Sequence, residues 1–229
     1  MAITPSAHDD HARGRVRRPL LVGIAGGSGS GKTSLARALA EALGVERVAL
    51  VRHDAYYRER AAPALEAPSA VDYDVPEAFD QALFLEHLEA LRAGRPVRPP
   101  IYCVATHRRT GHTAPLAPRT IVIADGILLL WEPTVRAALD LSIYVDAPED
   151  VRLQRRLARD VTERGLTVEA VLAQFRTTVR DAHGTYVEPT RAMADLVLGN
   201  VAPLERVVEV AAAVILDRLA RRAARSRVA

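Results

Sequence analysis

Apolar residues fall along the chain in two alternating patterns. Short unbroken runs, bounded by glycine or by charge, occupy residues 20–25, 48–52, 121–124, 141–145 and 196–198. Runs of that length, rich in Leu, Val, Ile and Ala, predict strands buried on both faces. Between them, apolar positions recur every three or four residues: Leu35, Leu39 and Leu43 within 34–43, then Phe79, Leu83, Leu88 and Leu91 within 76–91. Similar spacing covers 149–163, 168–180 and 204–219, and all five segments predict amphipathic helices. Strands alternating with helices imply an α/β fold, a mostly five-stranded parallel sheet covered by helices on both faces.

Residues 95–118 break the rhythm. Pro96, Pro99, Pro100, Pro115 and Pro118 exclude a helix and Gly111 suggests a turn, so a small flap or hairpin is expected outside the main sheet. Residues 1–18 lack periodicity and read as a flexible leader, and 221–229 as a flexible tail. One domain is expected to span 19–220.

Composition narrows the class. At 229 residues, 49% hydrophobic and a net charge of +3, the chain can bury a core and is not a disordered polymer. Its single cysteine, Cys103, excludes an internal disulfide and a cysteine-held metal cluster, which points to a reducing, cytoplasmic setting. Residues 1–18 carry no apolar signal-peptide core, and the longest apolar run, 121–130, is interrupted by Asp125 and Gly126 and falls short of the ~18 residues of a membrane span. No membrane partner is expected. The excess arginines cluster at the two ends and read as solvated termini, so nucleic acid is not the expected partner either. Lys32 is the sole lysine.

That lysine sits in Gly26-Gly27-Ser28-Gly29-Ser30-Gly31-Lys32-Thr33, followed by Ser34, which fits G-x-x-x-x-G-K-[ST] between a strand and a helix. Glycines let successive N–H groups turn toward phosphate oxygens, and the helix N-terminus adds positive potential. Lys32 is placed to reach the outer phosphates of a nucleoside triphosphate, and Thr33 to hold magnesium.

Two acids complete this reading. Asp125 ends the strand at 121–124, where such proteins keep a magnesium-holding acid, and Gly126 follows it where many motor-type ATPases have Glu; transfer is favoured over hydrolysis. Asp54 follows the second strand within His53-Asp54-Ala55-Tyr56-Tyr57 and is expected at the same sheet edge, able to accept a hydroxyl proton and to approach the metal. Asp72, Asp74, Glu77 and Asp80 crowd the start of the helix at 76–91, where Asp74 or a neighbour is expected to cap it. Arg152, Arg155 or Arg156, and Arg159 recur at helical spacing and could form one face over a triphosphate.

Taken in order, the blocks 26–33, 53–57, 73–80, Pro100-Ile101-Tyr102 with His107, Asp125-Gly126-Ile127-Leu128, and Arg155-Arg156 through Arg159-Asp160 to Glu163-Arg164-Gly165 resemble the uridine/cytidine kinase family over about 21–198. The resemblance implies a P-loop kinase that uses ATP or GTP with Mg2+ to phosphorylate the 5′-hydroxyl of a pyrimidine ribonucleoside. It implies Asp54 as the base, with Thr33, Asp54 and Asp125 around the metal. Asp74 and Arg156 are implied for the ribose hydroxyls, and Tyr102 and His107 for the base edge. Tyr57, Tyr73 and Gln174 are implied to be further substrate positions, and Arg159 and Arg164 to belong to a lid at 152–166. A homo-oligomer is implied as well.

The chain departs from the family pattern at Asp125, where Glu is usual, at Leu166, where an arginine is common, and at Cys103-Val104, where Asp and an aromatic residue are usual. Two other readings follow: a P-loop kinase of another ribosyl or hydroxylated metabolite, and a nucleotide-binding regulatory protein without transfer activity.

Overall fold

The computed structural model describes residues 18–59, 72–103, 106, 108–201 and 203–228. Strands β1 (Leu20–Ala25), β2 (Val48–Arg52), β5 (Ile121–Asp125), β6 (Leu141–Asp146) and β7 (Leu196–Gly199) form one parallel sheet in the order β2-β5-β1-β6-β7. Strands β3 (Pro100–Cys103) and β4 (Arg108–Thr113) pair antiparallel as a separate hairpin, as the proline-rich segment led us to expect.

Helix α1 (Lys32–Leu43) and the long α6 (Leu204–Val228) cover one sheet face, where Val22, Ile24, Ile123 and Ile143 meet Leu35, Leu39, Ala211 and Ile215. On the other face Val51, Val122, Ala124 and Tyr144 pack with Phe84, Leu88 and Leu91 of α2 (Gln81–Arg92) and with Val135 of the short α3 (Pro133–Ala138). Successive strand residues alternate between the two clusters, as a pleated strand requires. Helix α4 (Glu149–Arg164) follows β6. Helix α5 (Val168–Gln174) then runs on through π-helical Phe175–Val179, α-helical Arg180–Ala182, π-helical His183–Val187 and the 3₁₀ segment Glu188–Met193.

Three elements differ from the sequence reading. The helix expected at 76–91 is broken: Pro76–Ala78 is a 3₁₀ turn and Phe79 is extended, with φ −106° and ψ 148°. Asp80 then caps α2, its side chain accepting from the Leu83 N–H at 3.3 Å. The cap is therefore Asp80 and not Asp74, whose own N–H donates to Asp72 Oδ1 at 2.9 Å. Second, the helix expected to end at 180 continues. Third, α6 passes through 221–228, and Arg222 donates to the Pro19 carbonyl at 2.8 Å and to Asp140 at 3.1 Å. Among the described residues, no helix is long and apolar enough to cross a membrane.

Candidate active site

Register pairs Ile24 with Asp125 and Arg52 with Asp125, so the carboxyl ends of β1, β5 and β2 stand level. This edge is where open α/β sheets bind ligands. From β1 the chain curls through 26–31 into α1, whose N-cap Gly31 provides no side-chain cap and whose first turn holds no acid, leaving its N–H groups for an anion. The curl is tight: Gly29 has φ +79°, and a Cβ there would run into the Arg152 carbonyl oxygen. Behind it, Asn200 Nδ2 donates to the Ser30 carbonyl at 2.6 Å, and Arg155 donates to Ser30 O at 3.2 Å and Asn200 O at 2.8 Å. Arg155 therefore braces the loop, while Arg156 faces the cleft.

Lys32 is buried, with its Nζ 3.4 Å from the Gly27 carbonyl. Burial lowers its pKa, opposed by the charges of Asp54 and Asp125. Thr33 Oγ1 donates to Asp125 Oδ2 at 2.6 Å. Burial raises the Asp125 pKa, the Thr33 bond pulls it down, and Asp54 adds to the rise. A hydroxyl and carboxylate oxygens beside a phosphate loop are the hard donor set that suits magnesium, which fills its remaining positions with water and phosphate oxygens. The residues present fit both the metal and a nucleoside triphosphate.

Asp54 lies in a 3₁₀ turn (His53–Tyr56) just past β2. It opens onto a cavity of about 300 Å³ with Ser28 and Lys32 at its phosphate-loop side. Tyr57, Tyr73, Asp74, Tyr102, Arg156, Arg159, Arg164 and Gln174 also line it. The rings of Tyr57 and Tyr102 are 5.2 Å apart at their centroids, forming an aromatic wall. Asp74 is pushed upward in pKa by burial, against the pull of Arg156; Tyr57 is raised well above its ordinary value, by burial first and then by Asp54 and Asp74.

The arginines are organised by one carboxylate. Asp160 is fully buried and pairs with Arg156 at 3.3 Å, Arg159 at 2.8 Å and Arg164 at 3.2 Å. Arg156 then spans the cleft, donating to Ser28 Oγ at 2.8 Å and Gln174 Oε1 at 2.7 Å. Burial and the neighbouring Arg159 lower the Arg164 pKa, while Asp160 raises it.

His53, beside Asp54, is wholly buried and stacked on Phe79 with centroids 4.2 Å apart. Burial lowers its pKa to about 4, with Asp54 opposing. Between that value and the ordinary 6.5 the unfolded chain takes up a proton that the folded chain refuses. The stability at stake is thus present above the unfolded value and lost as pH falls toward the folded one. Between pH 7.5 and 5, urea denaturation should show the wild type losing about 2 kcal/mol more than His53→Gln. Parallel losses would mean that His53 is charged in the folded protein.

The structure gathers nearly every sequence-predicted position. Gly26 to Ser34 form the loop and helix start, Thr33 and Asp125 pair beneath it, and the proposed catalytic and substrate residues line one cavity. The exception is His107, which lies outside the described residues. Sequence reasoning gave Asp160 no role, although its spacing from Arg156 and Arg164 was a signal. It also missed Asn200, the apolar liners Ile127, Ala170 and Val179, and His183, which with Arg152 lies over Gly27.

Comparison with known proteins gives the family. The family model described as Phosphoribulokinase / Uridine kinase family matches residues 21–206. The uridine kinase of Clostridium perfringens strain SM101 is 39% identical over 183 residues, covering 80% of this chain and 88% of the relative. The uridine kinase of Alkaliphilus metalliredigens is 42% identical with the same coverages. The phosphoribulokinase structure from Rhodobacter spheroides shares the fold at a TM-score of 0.60, with 14% identity over 84% of this chain and 74% of that one. This chain, a phosphotransferase built around a P-loop, belongs to the phosphoribulokinase/uridine kinase family.

Proposed function

We propose that the protein transfers the terminal phosphoryl group of ATP or GTP to the 5′-hydroxyl of uridine or cytidine. The observation that carries the proposal is the convergence of Lys32, Asp54, Asp74 and Arg156 on one cavity with an aromatic wall. Uridine kinases at 39–42% identity support it.

Asp54 accepts the proton of the 5′-hydroxyl as that oxygen bonds to the γ-phosphorus. The bond from phosphorus to the bridging oxygen breaks, and the nucleoside diphosphate leaves. Lys32 and the loop N–H groups hold the donor phosphates. Thr33, Asp125 and Asp54 would hold magnesium, which would neutralise phosphate charge. Arg159 and Arg164, on the lid at 152–166, stabilise the charge on the transferring group. Asp74 and Arg156 bind the ribose hydroxyls, with Tyr57, Tyr73 and Gln174 enclosing the sugar; Tyr102 and His107 read the base. Asp125, shorter than Glu, keeps its place through the Thr33 bond. One cysteine and a nucleoside substrate fit a cytoplasmic enzyme.

An acceptor panel with γ-labelled ATP tests the reading. Label should pass to uridine or cytidine and not to ribulose 5-phosphate or pantothenate. Transfer to one of the latter would replace the substrate, and ATP binding without any transfer would replace the reaction.

A further inference from the structure

We propose that Arg109 is a positioning residue, fastening the β3–β4 hairpin to the turn that carries Asp54 so that Tyr102 and Asp54 keep a fixed relation. The inference rests on the reading above, that both residues face one acceptor.

Every residue of β4 is exposed except Arg109. A two-stranded hairpin has little stability of its own, so its placement depends on what holds it. Its base is joined by Val97 and Leu116, which exchange N–H to carbonyl bonds of 2.9 Å each. Arg109 holds it nearer the cavity: Nε donates to the Tyr57 carbonyl at 2.9 Å, and Nη2 to the Tyr56 carbonyl and to Asp80 Oδ2, both at 3.3 Å.

These acceptors are the turn itself and the cap of α2, since the Asp80 N–H also donates to the Tyr56 carbonyl at 2.8 Å. One guanidinium thus joins hairpin, turn and helix. Arg109 and Asp80 side chains are only 24% and 23% exposed, so the pair is sheltered from water. Tyr102 is the cross-strand partner of Arg109 and shares its face of the hairpin. Its ring meets Tyr57, whose carbonyl Arg109 holds. The ring contact alone could slide; the guanidinium fork sets direction as well as distance, which a lysine cannot reproduce.

The test compares wild type, Arg109→Ala, Arg109→Lys, Asp80→Asn and the exposed control His112→Ala. Arg109→Ala should lower kcat/KM for uridine by ~10–100-fold, with the KM for ATP within about twofold of wild type by the same reasoning. Arg109→Lys should recover part of the loss. Asp80→Asn, which retains an oxygen for the Leu83 cap, should shift the same parameter by less, and His112→Ala should match wild type. Amide hydrogen exchange at residues 54–58 should accelerate in Arg109→Ala without any substrate present. Wild-type failure to phosphorylate either pyrimidine nucleoside would end the functional reading, while the exchange measurement would still decide the positioning role. Unchanged exchange in Arg109→Ala, or a lowered melting temperature with unaltered uridine kinetics, overturns the proposal.

Discussion

Asp54→Asn is expected to reduce kcat for nucleoside phosphorylation by about 10²–10⁴-fold, the usual contribution of a positioned general base. The amide retains the shape and hydrogen-bonding reach of the carboxylate but cannot take the proton. Acceptor KM should stay near the wild-type value, because the groups assigned to ribose and base are untouched. The charge at position 54 also acts on its surroundings: it opposes the lowered pKa of Lys32 and adds to the raised values of Asp125, Asp74 and Tyr57. Removing it should leave ATP binding measurable by calorimetry while turnover collapses. A variant with wild-type turnover would show that another group takes the proton.

Asp160→Ala should cost about 3–5 kcal/mol in chemical denaturation, the usual penalty for removing one partner of a buried ion pair. The carboxylate is fully buried and holds Arg156, Arg159 and Arg164 within 3.3 Å. Without it, three like charges crowd one side of the cavity, and Arg156 loses part of the support that aims it at Ser28 and Gln174. Turnover should fall along with stability, since two of those arginines are assigned to the transferring phosphoryl group. Asp160→Asn should lie between the two, because its amide oxygen can still accept. If denaturation midpoints for Asp160→Ala and wild type coincide, the three arginines are held by other contacts.

Much of the architecture was legible because hydrophobic spacing reports burial directly. The strands, α1 and the proline-broken hairpin follow from local pattern. The errors have local causes. Phe79 fits the helical stripe of 76–91 but reaches the core from extended backbone, stacked on His53. Phe84, Leu88 and Leu91 then make the true stripe of α2. Past residue 180 the π-helical turns shift the register on which periodicity depends. Of the arginines near the C-terminus, Arg218, Arg221 and Arg225 are exposed as expected, and Arg222 departs, because composition carries no information about Pro19 or Asp140, which it reaches. The phosphate loop was legible because its motif is contiguous. Asp160 was not, since its effect depends on burial, and Arg109 was not, since the carbonyls it holds lie some fifty residues earlier in the chain.

A crystal structure with uridine and a non-hydrolysable ATP analogue tests the proposed transfer directly. It should show the 5′-oxygen within about 3 Å of the Asp54 carboxylate, hydrogen-bond reach for a general base, and the γ-phosphate against Lys32. A nucleoside seated with its 5′-oxygen away from Asp54, or with the triphosphate outside the 26–33 loop, would contradict that transfer.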